Sequence, residues 1–128
     1  MNGADAEPAR MALIVEDDAF QAMDLADTVS ALGVRVLGPF ASAKEALTAL
    51  EDVTPHLAFL DVELSDGDCL PVADALAARG APFAFLSGRD EQVPTWLDRY
   101  GDRILLPKPY RPSQIAHLVD RLLNASSV

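Results

Sequence analysis

Four short polar signatures stand at the ends of four apolar runs, at intervals that suit successive β-α units. Glu16-Asp17 follows MALIV, Asp61 follows HLAFL, Ser87 follows PFAFL and Lys108 follows RILLP. Asp17 to Asp61, Asp61 to Ser87 and Ser87 to Lys108 are 44, 26 and 21 residues apart. A strand with its crossover helix takes ~20–30 residues, so these gaps amount to about two, one and one such units. Parallel strands present their C-terminal ends on one side, where open α/β sheets place their chemistry. An acidic pair, a further aspartate, a hydroxyl and a lysine are therefore expected in one pocket. That set suits phosphoryl transfer to a carboxylate beside a divalent metal.

The chain has 128 residues, the size of one domain with a real core. Half of them are hydrophobic and only 6% aromatic, which fits buried parallel strands and helices better than a sandwich or barrel. Twenty acidic against ten basic residues leave a net charge of −10, which disfavours nucleic acid and anionic lipid as partners. Cys69 is the single cysteine, so no intrachain disulfide forms and a reducing compartment fits. Residues 1–10 are polar and lack the apolar core of a signal peptide. No apolar stretch approaches the ~20 residues that span a bilayer, and a cytoplasmic protein is expected.

Residues 1–10 read as a disordered lead and 11–125 as a single domain with no output domain after it. The expected strands are 11–15, 34–37 (closed by Gly38-Pro39), 57–60, 83–86 and 104–106. Asp18 with Gln21 resembles a helix-start capping pair, and Met23, Ala26, Val29 and Leu32 recur on the helix that follows. Ser42 and Glu45 form a capping box for a helix with Ala43, Ala46, Leu47 and Leu50 inward. Residues 62–68 read as a loop and 71–79 as a helix. Pro94 interrupts the fourth crossover, so a short or irregular helix carrying Trp96 and Leu97 is expected near it. Pro112 opens the last helix, with Ile115, Leu118, Val119 and Leu122 buried.

Plainer readings compete with the functional ones. Asp17 and Asp61 could be helix caps, Asp18 more readily so, and Ser87 a turn former. Lys108 and Arg89 could be solvated charges. Trp96 and Tyr110 could be partner contacts or simple packing. His56 reads as a turn residue, His117 as a solvated helix residue and Cys69 as a small semi-buried side chain.

The four segments LIVEDD (13–18), LAFLDVEL (57–64), FLSG (85–88) and LPKPY (106–110) together resemble the response-regulator receiver domain. The resemblance covers residues 11–124 and implies a five-stranded doubly wound parallel sheet of order 2-1-3-4-5. It implies that Asp61 accepts a phosphoryl group and that Mg²⁺ is held by Asp17, Asp61 and the Glu63 backbone carbonyl, with Glu16 acting through a water. Lys108 and Ser87 would contact the phosphoryl oxygens, and the Lys108–Pro109 bond would be cis. A narrower likeness, carried by LPVADALAARGAPFAFLSG (70–88) with Pro94 and LPKPY, is to the single-domain FATGUY group. Its members answer to histidine kinases of the HWE type, so such a kinase or a histidine phosphotransferase is the expected donor. The downstream protein is unknown.

Several positions depart from the receiver pattern. Leu105 stands where receivers carry an aromatic switch residue, so a rotating ring behind Ser87 is not the signal. The stretch from Asp61 to Gly67 is shorter than the usual one, so its glycine and the following helix are expected to be displaced. Glu63 and Arg89, two positions beyond Asp61 and Ser87, are expected to pair across the pocket mouth and set the lifetime of the phosphorylated form. Two rival readings remain: an interaction module that works without phosphorylation, and a hydrolase with an aspartyl-phosphate intermediate using Glu63 as its second acid.

Overall fold

The computed structural model describes residues 9–88, 95–100 and 104–126. The first residues of the expected lead, and Pro94, lie outside that set. Arg10, the last residue of the lead, is tied down: its carbonyl accepts the Arg35 N–H at 2.8 Å.

Five strands form one parallel sheet: β1 (Met11–Val15), β2 (Arg35–Phe40), β3 (Leu57–Asp61), β6 (Phe83–Ser87) and β7 (Ile104–Pro107). Their order, β2-β1-β3-β6-β7, is the expected 2-1-3-4-5 once a small hairpin is set aside. That hairpin pairs β4 (Glu63–Leu64) with β5 (Gly67–Asp68), where the sequence suggests only a loop. β3 and β6 are buried along their whole length, because helices cover both faces of the sheet.

Helices α1 (Ala19–Ala31) and α4 (Pro112–Ser126) cover one face; α2 (Ala43–Leu50) and α3 (Leu70–Ala78) cover the other. α4 buries Ile115, Leu118, Val119 and Leu122 as expected. Full burial of one such side chain stabilises the fold by ~1.5–3 kcal/mol. α1 differs from the sequence reading. Ala22, Leu25 and Val29 face the core, while Met23 is 64% and Leu32 42% exposed. Residues three apart rotate by about 60° per step around an α-helix, so 23, 26, 29 and 32 cannot share one face.

β2 runs past its expected end, through Gly38-Pro39 to Phe40, with a register shift opposite Leu13 and Val15. Gly38 has φ 104°, and a Cβ there would lie 2.8 Å from Phe40 N and 2.9 Å from the Ile14 carbonyl oxygen. Only glycine lets the two strands approach that closely. The Gly38–Pro39 and Lys108–Pro109 bonds are both cis, of which only the second was expected.

The described part of the fourth crossover is a 3₁₀ helix, Thr95–Tyr100, which agrees with the irregular element expected there. Trp96 and Tyr100 pack on the α2–α3 face, and the Trp96 ring meets Phe85 edge-on at 5.7 Å. Trp96 is thus a packing residue with a polar tip. His56 does more than turn the chain: its Nδ1 accepts the Met11 N–H at 3.0 Å, fixing the start of β1. Cys69 is fully buried rather than half-exposed, and burial raises its thiol pKa.

Candidate acidic site at the strand tips

Sheet register brings the signatures together. Val15 pairs with Leu60, Asp61 with Leu86, and Ser87 with Pro107, so four strand tips end side by side. Backbone bonds carry the ladder into the loops. Glu16 N–H donates to the Phe40 carbonyl at 2.9 Å, Val62 N–H to Leu86 at 2.9 Å, and Lys108 N–H to Ser87 at 2.8 Å. The bulge at Gly38 thereby helps to place Glu16.

One carboxylate oxygen from each of Glu16, Asp17 and Asp61 lies within 4.8 Å of the others. Glu16 and Asp61 are each only 2% exposed, whereas Asp17 is open to solvent. Lys108 Nζ donates to Glu16 Oε1 at 2.6 Å and stands 3.3 Å from Asp61 Oδ2. Asp18 N–H donates to Glu16 Oε2 at 3.1 Å, and Asp18 Oδ1 accepts the Gln21 N–H at 2.9 Å. Asp18 is therefore the cap of α1. Ser87 is buried at the tip of β6, its Oγ donating to the Gly88 carbonyl at 3.4 Å.

The charges are poorly balanced. Burial, then hydrogen bonding and repulsion from Glu16, push the Asp61 carboxyl up to about 8, against the pull of Lys108. Burial followed by Glu16 also raises Asp17. For Lys108, burial favours the neutral amine, but Glu16 and Asp61 outweigh it and raise its pKa. Asp61 Oδ1 is buried and finds no hydrogen-bond partner among the described residues. An orphaned carboxylate oxygen beside two more acids is the donor set that a hard divalent cation requires. The residues present fit Mg²⁺.

Beside the pocket, a cleft of ≈540 Å³ is lined by Gln21, Asp24, Gly88, Lys108, Pro109 and Tyr110. Tyr110 packs against the α1–α4 core, and burial first, then Glu16, pushes its hydroxyl up to about 12.

Comparison with known proteins agrees with this geometry. No protein-family model matches the chain. SdrG from Sphingomonas melonis is 35% identical with a TM-score of 0.76, over 96% of this chain and 100% of that one. The REC domain of the Erythrobacter litoralis response regulator PhyR is 27% identical with a TM-score of 0.73, over 91% of each chain. This chain belongs to the response-regulator receiver family. The receiver is also 31% identical over 121 residues to the phyllosphere-induced regulator PhyR of Methylorubrum extorquens, covering 92% of this chain and 45% of that protein. It spans about half the length of the curated relatives it matches. Membership makes it a component of two-component signalling. Among the described residues no helix is long and apolar enough to cross a membrane.

Glu63 lies on β4, exposed and paired through its backbone with Asp68. Arg89 lies outside the described residues, and with it the expected pairing to Glu63. Leu105 is 38% exposed on β7, in register with Phe85. Sequence reasoning missed Asp66, whose Oδ1 and Oδ2 accept the N–H groups of Ala43 and Lys44 at 2.9 and 3.1 Å. These bonds hold its carboxyl below the usual carboxylate range. It also missed Asp68, whose Oδ1 accepts the Leu70 N–H at 3.0 Å and whose Oδ2 accepts the Trp96 indole N–H at 3.1 Å. An aspartate just ahead of a helix is a weak signal for the bond to Leu70; nothing in the sequence pairs 66 with 43 and 44, or 68 with 96.

Proposed function

We propose that this receiver is a stand-alone phosphoacceptor of a two-component or phosphorelay system in the cytoplasm, of the single-domain FATGUY type. Its donor is a phosphohistidine on a histidine kinase, of the HWE type, or on a histidine phosphotransferase. The phosphorylated form then acts through contacts with a downstream protein. The observation that carries this reading is Asp61: buried at a strand tip, one oxygen unpartnered, the other 3.3 Å from Lys108.

In the transfer, an ionised Asp61 oxygen attacks phosphorus, the P–N bond to the donor imidazole breaks, and the ring nitrogen takes the bonding pair and a proton. Charge spreads over the equatorial oxygens in such a step, so the protein mainly positions and neutralises. Asp17, Asp61 and the Glu63 backbone carbonyl, with Glu16 through a water, would hold Mg²⁺, which supplies the positive charge that keeps Asp61 ionised and offsets the phosphoryl oxygens. Lys108, paired with Glu16 and Asp61 at rest, is within reach of a new phosphoryl oxygen as a charged donor. The Ser87 hydroxyl donates to another. Glu63 and Arg89 tune how long the product lasts, and replacing both with alanine is expected to change the autodephosphorylation rate.

The experiment is incubation with acetyl phosphate and Mg²⁺, followed by intact mass measurement. Wild type is expected to gain one phosphate and Asp61→Asn none. Leu105, in place of the aromatic switch residue, favours the rival in which the domain acts without phosphorylation. A wild type that gains no mass supports that rival.

A further inference from the structure

We propose that Asp66 is a positioning residue for the cation site, fastening the hairpin after Asp61 to the start of α2 and so fixing the Glu63 backbone. This rests on the reading of the acidic cluster as a place for Mg²⁺.

Asp66 sits at the turn of the hairpin, and its carboxylate bonds two amides 22 and 23 residues earlier in the chain. Ser65 adds a second tether, its hydroxyl donating to the Ala41 carbonyl at 3.0 Å. The helix does not depend on these bonds for its start. Ser42 already caps α2, its Oγ accepting the Glu45 N–H at 3.1 Å. First-turn amides that face solvent at a helix start are readily satisfied by water. Asp66 is itself exposed, and its bond to the Lys44 amide is open to solvent, so water could replace the carboxylate there. What water could not do is hold the loop.

The loop needs holding. Its two strands are two residues each, far too short to be stable alone. Its base is fixed, with Val62 N–H on Leu86 and Cys69 N–H on Val62, and Leu64 and Asp68 anchor one residue of each strand, but the turn at 65–66 is held to the rest of the fold by the Ser65 and Asp66 side chains. A side-chain ligand can find a cation by changing rotamer. A backbone carbonyl goes only where its loop goes, so its contribution depends on how far the loop is ordered in advance. Asp66 and Ser65 supply that order through the start of α2 and the residues just before it.

The test uses the full chain and Mg²⁺ alone, following backbone amide shifts of Asp17 and Val62 by NMR, with circular dichroism to confirm folding. Asp66→Ala is expected to raise the Mg²⁺ dissociation constant roughly tenfold, as removal of outer supports of a metal site does. Asp66→Asn, which keeps one acceptor oxygen, should fall between the two. Ser42→Ala separates this role from simple helix capping, since it should lower the melting temperature and leave Mg²⁺ affinity unchanged. Should Asp66→Ala not fold, Ser65→Ala loosens the same tether and should shift affinity in the same direction by less. Wild-type affinity in the tether variants, or an equal loss in Ser42→Ala, overturns the proposal. A wild type that does not bind Mg²⁺ overturns the cation reading together with it.

Discussion

The two faces of the sheet are covered by different means. On one, α1 and α4 supply 13 and 15 residues of helix, and Leu25, Val29, Ile115 and Leu122 interdigitate with Ile14, Phe59 and Leu86. On the other, α2 and α3 have only 8 and 9 residues, and a six-residue 3₁₀ helix fills the remaining place. There the cover is completed by rings and directional bonds. Phe83 and Phe85 meet Tyr100 and Trp96 edge-on, the Trp96 indole donates to Asp68, and the Tyr100 hydroxyl donates to Asp74. Arg99 lies 3.3 Å from the same Asp74 carboxylate. The first face is held by apolar area, which is lost only by unfolding. The second is held partly by point contacts, which can open one at a time.

The sharpest way to break this contrast is Ile115→Ala on the apolar face. It should cost about 3 kcal/mol in urea denaturation. That corresponds to a melting temperature lower by roughly 10 °C. A loss below about 1 kcal/mol would show that α4 is not the main fastening.

Asp61→Asn isolates the site from both faces. The carboxyl pKa rises from 3.8 to about 8 on folding. The stability tied to its proton is therefore full below the unfolded value and gone once pH passes about 8. In EDTA the variant should melt ~5 °C above wild type at pH 8.5, with the two curves converging toward pH 4. Saturating Mg²⁺ should shrink the gap at pH 8.5, because the cation favours the ionised side chain. A gap independent of pH would remove burial of the charge as its cause.

On the tethered face, Trp96→Phe keeps a ring but loses the bond to Asp68, and should cost about 1 kcal/mol. Amide exchange should quicken in 95–100 and stay unchanged in α4; uniform quickening would mean the faces are not independent. Asp74→Asn should have the smallest effect, below about 1 kcal/mol, since the amide oxygen can still accept from the Tyr100 hydroxyl and the other partner, Arg99, is exposed. Chemical denaturation of the Asp74 variant, read beside Trp96→Phe, ranks the two tethers.

The sheet order was legible because buried parallel strands leave continuous apolar runs, and MALIV, LAFL and FAFL are such runs. The polar residues that end them were legible for the same reason, and the structure does bring Glu16, Asp17, Asp61 and Lys108 together. Capping by Asp18 and Ser42 was legible because it acts over three residues. What escaped depends on distance in sequence or on phase. The face of α1 is set by where Asp18 starts the helix, and apolar Met23 and Phe20 on its outer side obscure that phase. β2 continues through Gly38-Pro39 because β1 still offers partners there, which a turn signal alone hides. The grips of Asp66 on α2 and Asp68 on Trp96 span 22 to 28 residues and leave no local pattern.

Both outer strands of the sheet contain a proline, Pro39 in β2 and Pro107 in β7. Proline has no N–H, so neither rim presents an unbroken row of donors to a neighbouring chain. An open five-stranded sheet would otherwise invite another copy to add its own strand and grow into a filament. Here such growth is interrupted at each border, near the end where the acidic residues gather.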